Sequence, residues 1–364
     1  MMPVTFLILN RYPYLRVYCG PLGLFLSFAS LVVSAFVVSI ASLTTLQGVF
    51  YAFGCSLLFS PISIYMDEWF VERRGFAHGV MWAGKAGAGL LGPFLFSWLL
   101  NQFGYKVTML AWAVASALMM LPTMFFMKPR IKAARVVQGR PLSFTFIRRA
   151  AFWMMLSGVT IQALGYLMPS TYMASYALAI GHPAVTAPML IALFHVSSVP
   201  GSILLGSLGD RFGASMVVLI ASLGGTLPVF LLWGLSFHIA SLVSFVLLYG
   251  FFAGSFSSTW PSIMRELSST ESGNDTSVIF GFLLGGRGLG YVLAGPISGE
   301  LLSIPDKVSE GAIGFATKYG PMVIFTGITA VLGGWPPIWK GVRKLIHKVR
   351  FSIQQSRSER TRRR

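Results

Sequence analysis

Long apolar runs separated by short charged connections dominate this chain. Ten of them, at about 17–41, 46–65, 76–100, 107–127, 151–178, 184–207, 214–235, 238–263, 277–302 and 319–339, reach or approach the roughly 20 residues that a helix needs to cross a bilayer core. A transmembrane barrel would show segments of about ten residues with alternating polarity instead. The pattern therefore predicts a polytopic, all-α bundle of about ten transmembrane helices. The first nine residues, MMPVTFLIL, are apolar but too short to span. They also lack the basic leader and small-residue cleavage site of a signal peptide.

Composition agrees with the pattern. Hydrophobic residues make up 55% of the chain, charged residues 11%, and mean hydropathy is +0.71; a soluble domain carries roughly 25% charged residues. The formal charge of +17 raises a second reading, nucleic-acid binding. The distribution of the charge decides against it. If the loop at 10–16 is cytoplasmic, every second connection shares that side, and those segments hold 23 of the 28 Lys and Arg. The opposite connections hold Lys106, Lys307 and Lys318. Such a bias predicts that both termini and the loop at 128–149 are cytoplasmic. The basic tail at 340–364 is expected to set topology as a solvated segment or to touch anionic lipid heads. Cys19 and Cys55 fall within helices and indicate neither a disulfide framework nor a metal site. Asn274-Asp275-Thr276 matches a glycosylation acceptor but falls on the cytoplasmic side, so it reads as a chance match.

An internal repeat organises the chain. Residues 79–93, GVMWAGKAGAGLLGP, lie beside 282–296, FLLGGRGLGYVLAGP, with Gly87, Gly92 and Pro93 falling on Gly290, Gly295 and Pro296. Upstream, Gly54 and Pro61 correspond to Gly254 and Pro261. Both pairs run in the same direction, which predicts two related halves in parallel across the central basic loop.

Residues 206–213, GSLGDRFG, resemble the G-x-x-x-D-R-x-G loop of major facilitator superfamily transporters. DEWFVERRGFAHGVMWAG, FHVSSVPGSILLGSLGDRFG, GSFSSTWPS and RGLGYVLAGPISG together resemble its monocarboxylate-porter branch, fungal members especially. The resemblance covers about Asn10 to Trp339. It implies a helical bundle of two pseudo-repeated halves: an N-terminal half at 1–127, a basic loop at 128–150, a six-helix C-terminal half at 151–339 and a basic tail at 340–364. It also implies twelve helices, of which this chain would open at the tail of the second, leaving the N-terminal half incomplete. Ala214 and Ser215 replace the basic pair that often follows the loop. Ser198 and Ser202 stand where animal porters carry an Asp and an Arg.

The chemistry centres on two intramembrane cations, Lys85 and Arg287. A charge at mid-membrane costs at least about 2.5–3.5 kcal/mol, so something must offset it. Lys85 lies roughly 15 Å from the start of its helix, near the midplane, and Arg287 sits at a similar depth. By resemblance they belong to the fifth and eleventh helices, which line the central cavity, so a substrate carboxylate bridging them is the functional reading. Carbonyl or hydroxyl partners would make them structural instead. The neighbouring glycines read as helix packing rather than a phosphate loop, since no strand precedes them.

His195, also near mid-membrane, is the proton-coupling candidate or a structural histidine. Gln162, Tyr166, Tyr249 and the run Ser257-Ser258-Thr259-Trp260 are candidates for polar substrate contacts or for packing. By resemblance Gly206, Asp210, Arg211 and Gly213 form a cytoplasmic gating loop. The acidic residues fall in loops or at helix ends, which argues against an intramembrane enzyme, and no cofactor is implied. The expected function is secondary transport by alternating access, of a small monocarboxylate with a proton, in the plasma membrane. The alternative is a transport-dead relative acting as a sensor or partner-binding membrane protein.

Overall fold

The computed structural model describes residues 1–130, 144–183, 186–236, 238–268, 275–304 and 314–342, and among these it is helical without strands. The helices are α1 (Met2–Arg11), α2 (Arg16–Ser34), α3 (Ile40–Trp69), α4 (74–103), α5 (105–126), α6 (Ala150–Ala179), α7 (Thr186–Phe212), α8 (Ala214–Trp233), α9 (Ile239–Leu267), α10 (Asp275–Ser303), α11 (Gly320–Gly333) and α12 (Trp335–Val342). By length and composition eight helices qualify as membrane spans, and nine when α11 and α12, bent by 45°, count as one.

The tenth arises from α4 and α5, which form one helical run of 53 residues, Arg74–Phe126. A straight helix of that length would extend about 80 Å, far beyond a core of about 30 Å. The run breaks at Gly104, whose φ of 73° is open to glycine. All ten expected spans are thus present. The first ends earlier than the hydropathy implies, at Ser34 rather than 41, and the chain is extended at Ser39 before α3 begins. Most of the central basic loop (131–143), the tail at 343–364 and Asn274 lie outside the described residues.

The apolar opening of the chain is a docked half-span. Phe6 and Leu9 are buried, Thr5 bonds Ser56 of α3 at 2.9 Å, and Gly281 of α10 leaves room for the Phe6 ring at 2.9–3.0 Å from where a Cβ would stand.

Small residues bring the long helices together, as expected where lipid removes the hydrophobic drive between them. Along the α4–α7 seam a side chain on Gly75 would strike the Gly206 carbonyl, and one on Gly79 would lie 2.5 Å from the Ser202 carbonyl oxygen. On the α6–α10 seam Gly290 faces Ala163, and Gly158 of α6 faces Gly333 of α11. Packed on these seams, α4 and α10 bring Lys85 and Arg287 toward the same space. α9 supplies a third wall and is irregular there: a wide π turn over Gly250–Gly254 and a tight turn over Phe256–Thr259 precede its last segment, Trp260–Leu267.

Candidate functional site

Arg287 is 4% exposed and makes two hydrogen bonds, Nε to the Tyr291 hydroxyl one turn along α10 and Nη1 to Ser257 Oγ on the tight turn of α9. Its guanidinium carbon lies 4.6 Å from the Tyr166 ring centre, 5.3 Å from Tyr291 and 5.6 Å from Trp260. Tyr166 and Tyr291 stack on each other at 5.9 Å. The cation is therefore held by two hydroxyls, the partners expected of a structural arginine, and by π faces rather than by a carboxylate, while Nη2 is buried with no partner.

Lys85 approaches from α4. Its Nζ lies 5.3 Å from the ring centre of Trp82, one turn earlier, and Trp82 meets Trp260 edge-to-face at 5.9 Å. Lys85 and Arg287 are close enough for each to feel the other's charge, and Lys85 likewise couples to His195. Unlike Arg287, Lys85 is exposed. Among the described residues no carboxylate pairs with either cation. Around them Trp82 Nε1, Trp260 Nε1 and Ser258 Oγ are also buried without partners. The cluster is rich in donors and, among the described residues, holds no anionic acceptor.

The other candidates take varied places. His195 of α7 lies flat against Gly89, one turn beyond Lys85, and a side chain on Gly89 would sit 2.5–2.8 Å from the ring. Tyr249 stands behind the cage, its hydroxyl 3.5 Å from the Tyr166 carbonyl. Gln162, one turn before Tyr166, packs on Gly333 of α11 and leaves Oε1 unpartnered. Ser198 and Ser202 stitch α7 to α9: Ser198 Oγ donates to the Gly250 carbonyl at 2.9 Å, and Ser202 bonds Ser255 at 3.2 Å. Two charges in that seam would lose these contacts.

At the end of α7 the Asp210 carboxylate accepts hydrogen bonds from the backbone N–H groups of Gly75 and Phe76, both at 2.9 Å. This caps the first turn of α4 with an anion on the positive end of the helix. Arg265 of α9 pairs with the same carboxylate at 2.7 Å. Gly206 lets the helices meet, and Gly213, at φ 79°, turns the chain into α8. Arg211 is exposed and takes no part in these bonds.

Trp82, Tyr291 and Arg265 were missed from the sequence. The first two stand three residues before Lys85 and four after Arg287, the helical spacing at which side chains meet, and that spacing was the available signal. Arg265 had none.

Comparison with known proteins now bears on the fold. Residues 1–295 match the sequence model of the Major Facilitator Superfamily. The chain belongs to the Major Facilitator Superfamily. Similar proteins include the MFS-type transporter pynF of Aspergillus niger, 24% identical over 298 residues that make up 81% of this chain and 67% of that one. Monocarboxylate transporter 10 of Danio rerio is 25% identical over 316 residues, 84% of this chain and 59% of the relative. This superfamily chain spans about half to seven tenths of the length of the relatives it matches. Among solved structures, the E. coli fucose:proton symporter superposes with a TM-score of 0.66 over 92% of this chain and 87% of that one, at 14% identity, a likeness of fold. The family and the apolar helices make it an integral multi-pass membrane protein.

Proposed function

We propose that this superfamily member is a secondary transporter that moves a small monocarboxylate together with a proton by alternating access, at the plasma membrane with the basic loops and both termini in the cytoplasm. One observation carries the reading: Arg287, buried at mid-span with Nη2 unpartnered, stands with Lys85 among other unpartnered donors, and among the described residues no carboxylate pairs with either cation. Buried polar groups are ordinarily satisfied, so the site is suited to an acceptor-rich guest, and a carboxylate between two cations offers four lone-pair positions. A relative named as a monocarboxylate transporter supports the substrate class, and the symporter of similar fold supports coupling to a proton. His195, beside Lys85, is the candidate carrier of that proton.

The Asp210 cap on α4 ties the two sets of helices together at the basic face. Its release would open the central space to that side, which gives the gating loop its role. The test is uptake of radiolabelled L-lactate and pyruvate into proteoliposomes with and without an inward proton gradient. Gradient-driven accumulation supports the proposal. Binding without flux would favour the sensor reading.

A further inference from the structure

Seven residues before Lys85 on the same face of α4, about 10 Å toward its start, lies a buried ionisable pair. His78 Nε2 is 3.1 Å from Asp67 Oδ1 near the end of α3. The residues are 1% and 8% exposed, and His78 Nδ1 is buried without a partner. Phe280 of α10 stands edge-on to the imidazole at 5.2 Å and continues into a ring cluster with Phe59, Trp260 and Phe6. That cluster runs from the pair to the cation site, which shares Trp260. On the other side, one turn away, Asp210 caps Gly75 and Phe76.

Several charged groups on the neighbouring elements are already engaged. From α2 Arg16 pairs with Glu68 at 2.8 Å. Arg74 of α4 bonds the Phe70 carbonyl, and Asp210 of α7 pairs with Arg265 of α9. α10 presents the uncharged Phe280.

We propose that Asp67 and His78 form a proton-binding site whose occupancy is coupled to the Asp210 latch. The inference rests on the proton-coupled reading above and adds a second proton site, apart from His195 and next to the Asp210 latch. With one shared proton the pair is an imidazolium beside a carboxylate, or the neutral acid beside imidazole, and carries no net charge. Without it the pair is a carboxylate and a neutral imidazole, a net negative charge that a sealed site cannot hydrate. The closed basic face therefore retains the proton. When α4 parts from α7, water reaches Nδ1 and accepts it, and the carboxylate that remains is hydrated. The protonated pair therefore favours the sealed state and the deprotonated pair the open one.

The test reads the latch and needs no substrate. Nitroxide labels on Val71→Cys and Phe212→Cys, both exposed sites on opposite sides of the seam, are placed in a Cys19→Ser, Cys55→Ser background. Pulsed electron spin resonance then measures the distance between them at pH 5 and pH 8. The ratio of short to long distances should fall at least about fivefold on going to pH 8, the lower end of ordinary coupling between sites.

Asp67→Asn removes the charge that needs the proton and should give short distances at both pH values. His78→Gln removes the imidazole that shares the proton and should change the pH response of the distances from that of the parent. A parent that ignores pH overturns the proposal. So does unchanged pH response in the variants, or opening in both, which would mark a structural tie. If His78→Gln fails to fold, Asp67→Asn decides. Lactate uptake indifferent to a proton gradient would refute the coupling reading, while the distances still judge this site.

Discussion

Lys85 and Arg287 occupy nearly equivalent places in two related segments, yet their surroundings differ. Arg287 is buried, fixed by two hydroxyls and framed by three aromatic rings, with one nitrogen left over. Lys85 is exposed, touches a single ring and has no hydrogen bond among the described residues. The difference separates two tasks that one sequence pattern seemed to repeat. A planar fork can be held rigidly by some of its donors while another faces a guest. An ammonium on a flexible stem can follow a guest as the site rearranges. On the proposed anion-binding reading, Arg287 is the fixed end of the site and Lys85 its adjustable end.

The sharpest way to break this comparison is Arg287→Gln. Charged hydrogen bonds contribute about 1.5–3 kcal/mol each, so uptake efficiency should fall roughly 100-fold or more while the protein still reaches the membrane; unchanged L-lactate kinetics would remove Arg287 from the site. Arg287→Lys should lose about tenfold or more, because an ammonium cannot bond Tyr291, Ser257 and a carboxylate from one plane. Full rescue by Lys would show that charge alone matters. Lys85→Gln should cost about tenfold, mainly in KM, and combined with Arg287→Gln it should cost less than the product of the two effects if both grip one anion. Strictly multiplicative losses would divide the cations between separate tasks. The smallest effect is expected away from the site. Asp210→Asn keeps a cap oxygen but loses the anion, and should slow turnover about three- to fivefold with KM unchanged, read by initial-rate uptake against substrate concentration.

Much of this architecture is legible in the chain. Ten apolar runs correspond to ten spans because in lipid every backbone group must be satisfied within its own segment, so length and hydropathy alone locate helices. The break at Gly104 and the early end at Ser34 depend on local backbone choices that hydropathy does not encode. The glycines around both cations were read as packing, and Gly286 and Gly290 do pack on α6, whereas Gly84 and Gly87 face open space. The pairing of Asp67 with His78 was not foreseen, since eleven residues across a turn between helices carry no fixed geometry.

The sequence by itself determined the class, the number of spans, the uneven spread of basic residues and the two charges stranded at mid-span, because each follows from transfer free energy and helical rise along one segment. Tertiary structure decided which side chains meet. That Arg287 finds Ser257 and three rings instead of an acid, that Asp210 caps a helix begun 136 residues earlier, and that one nitrogen is left unbonded all depend on seams where glycine lets helices approach. Contacts between segments far apart in the chain arise from the packing of whole surfaces, which no single segment contains.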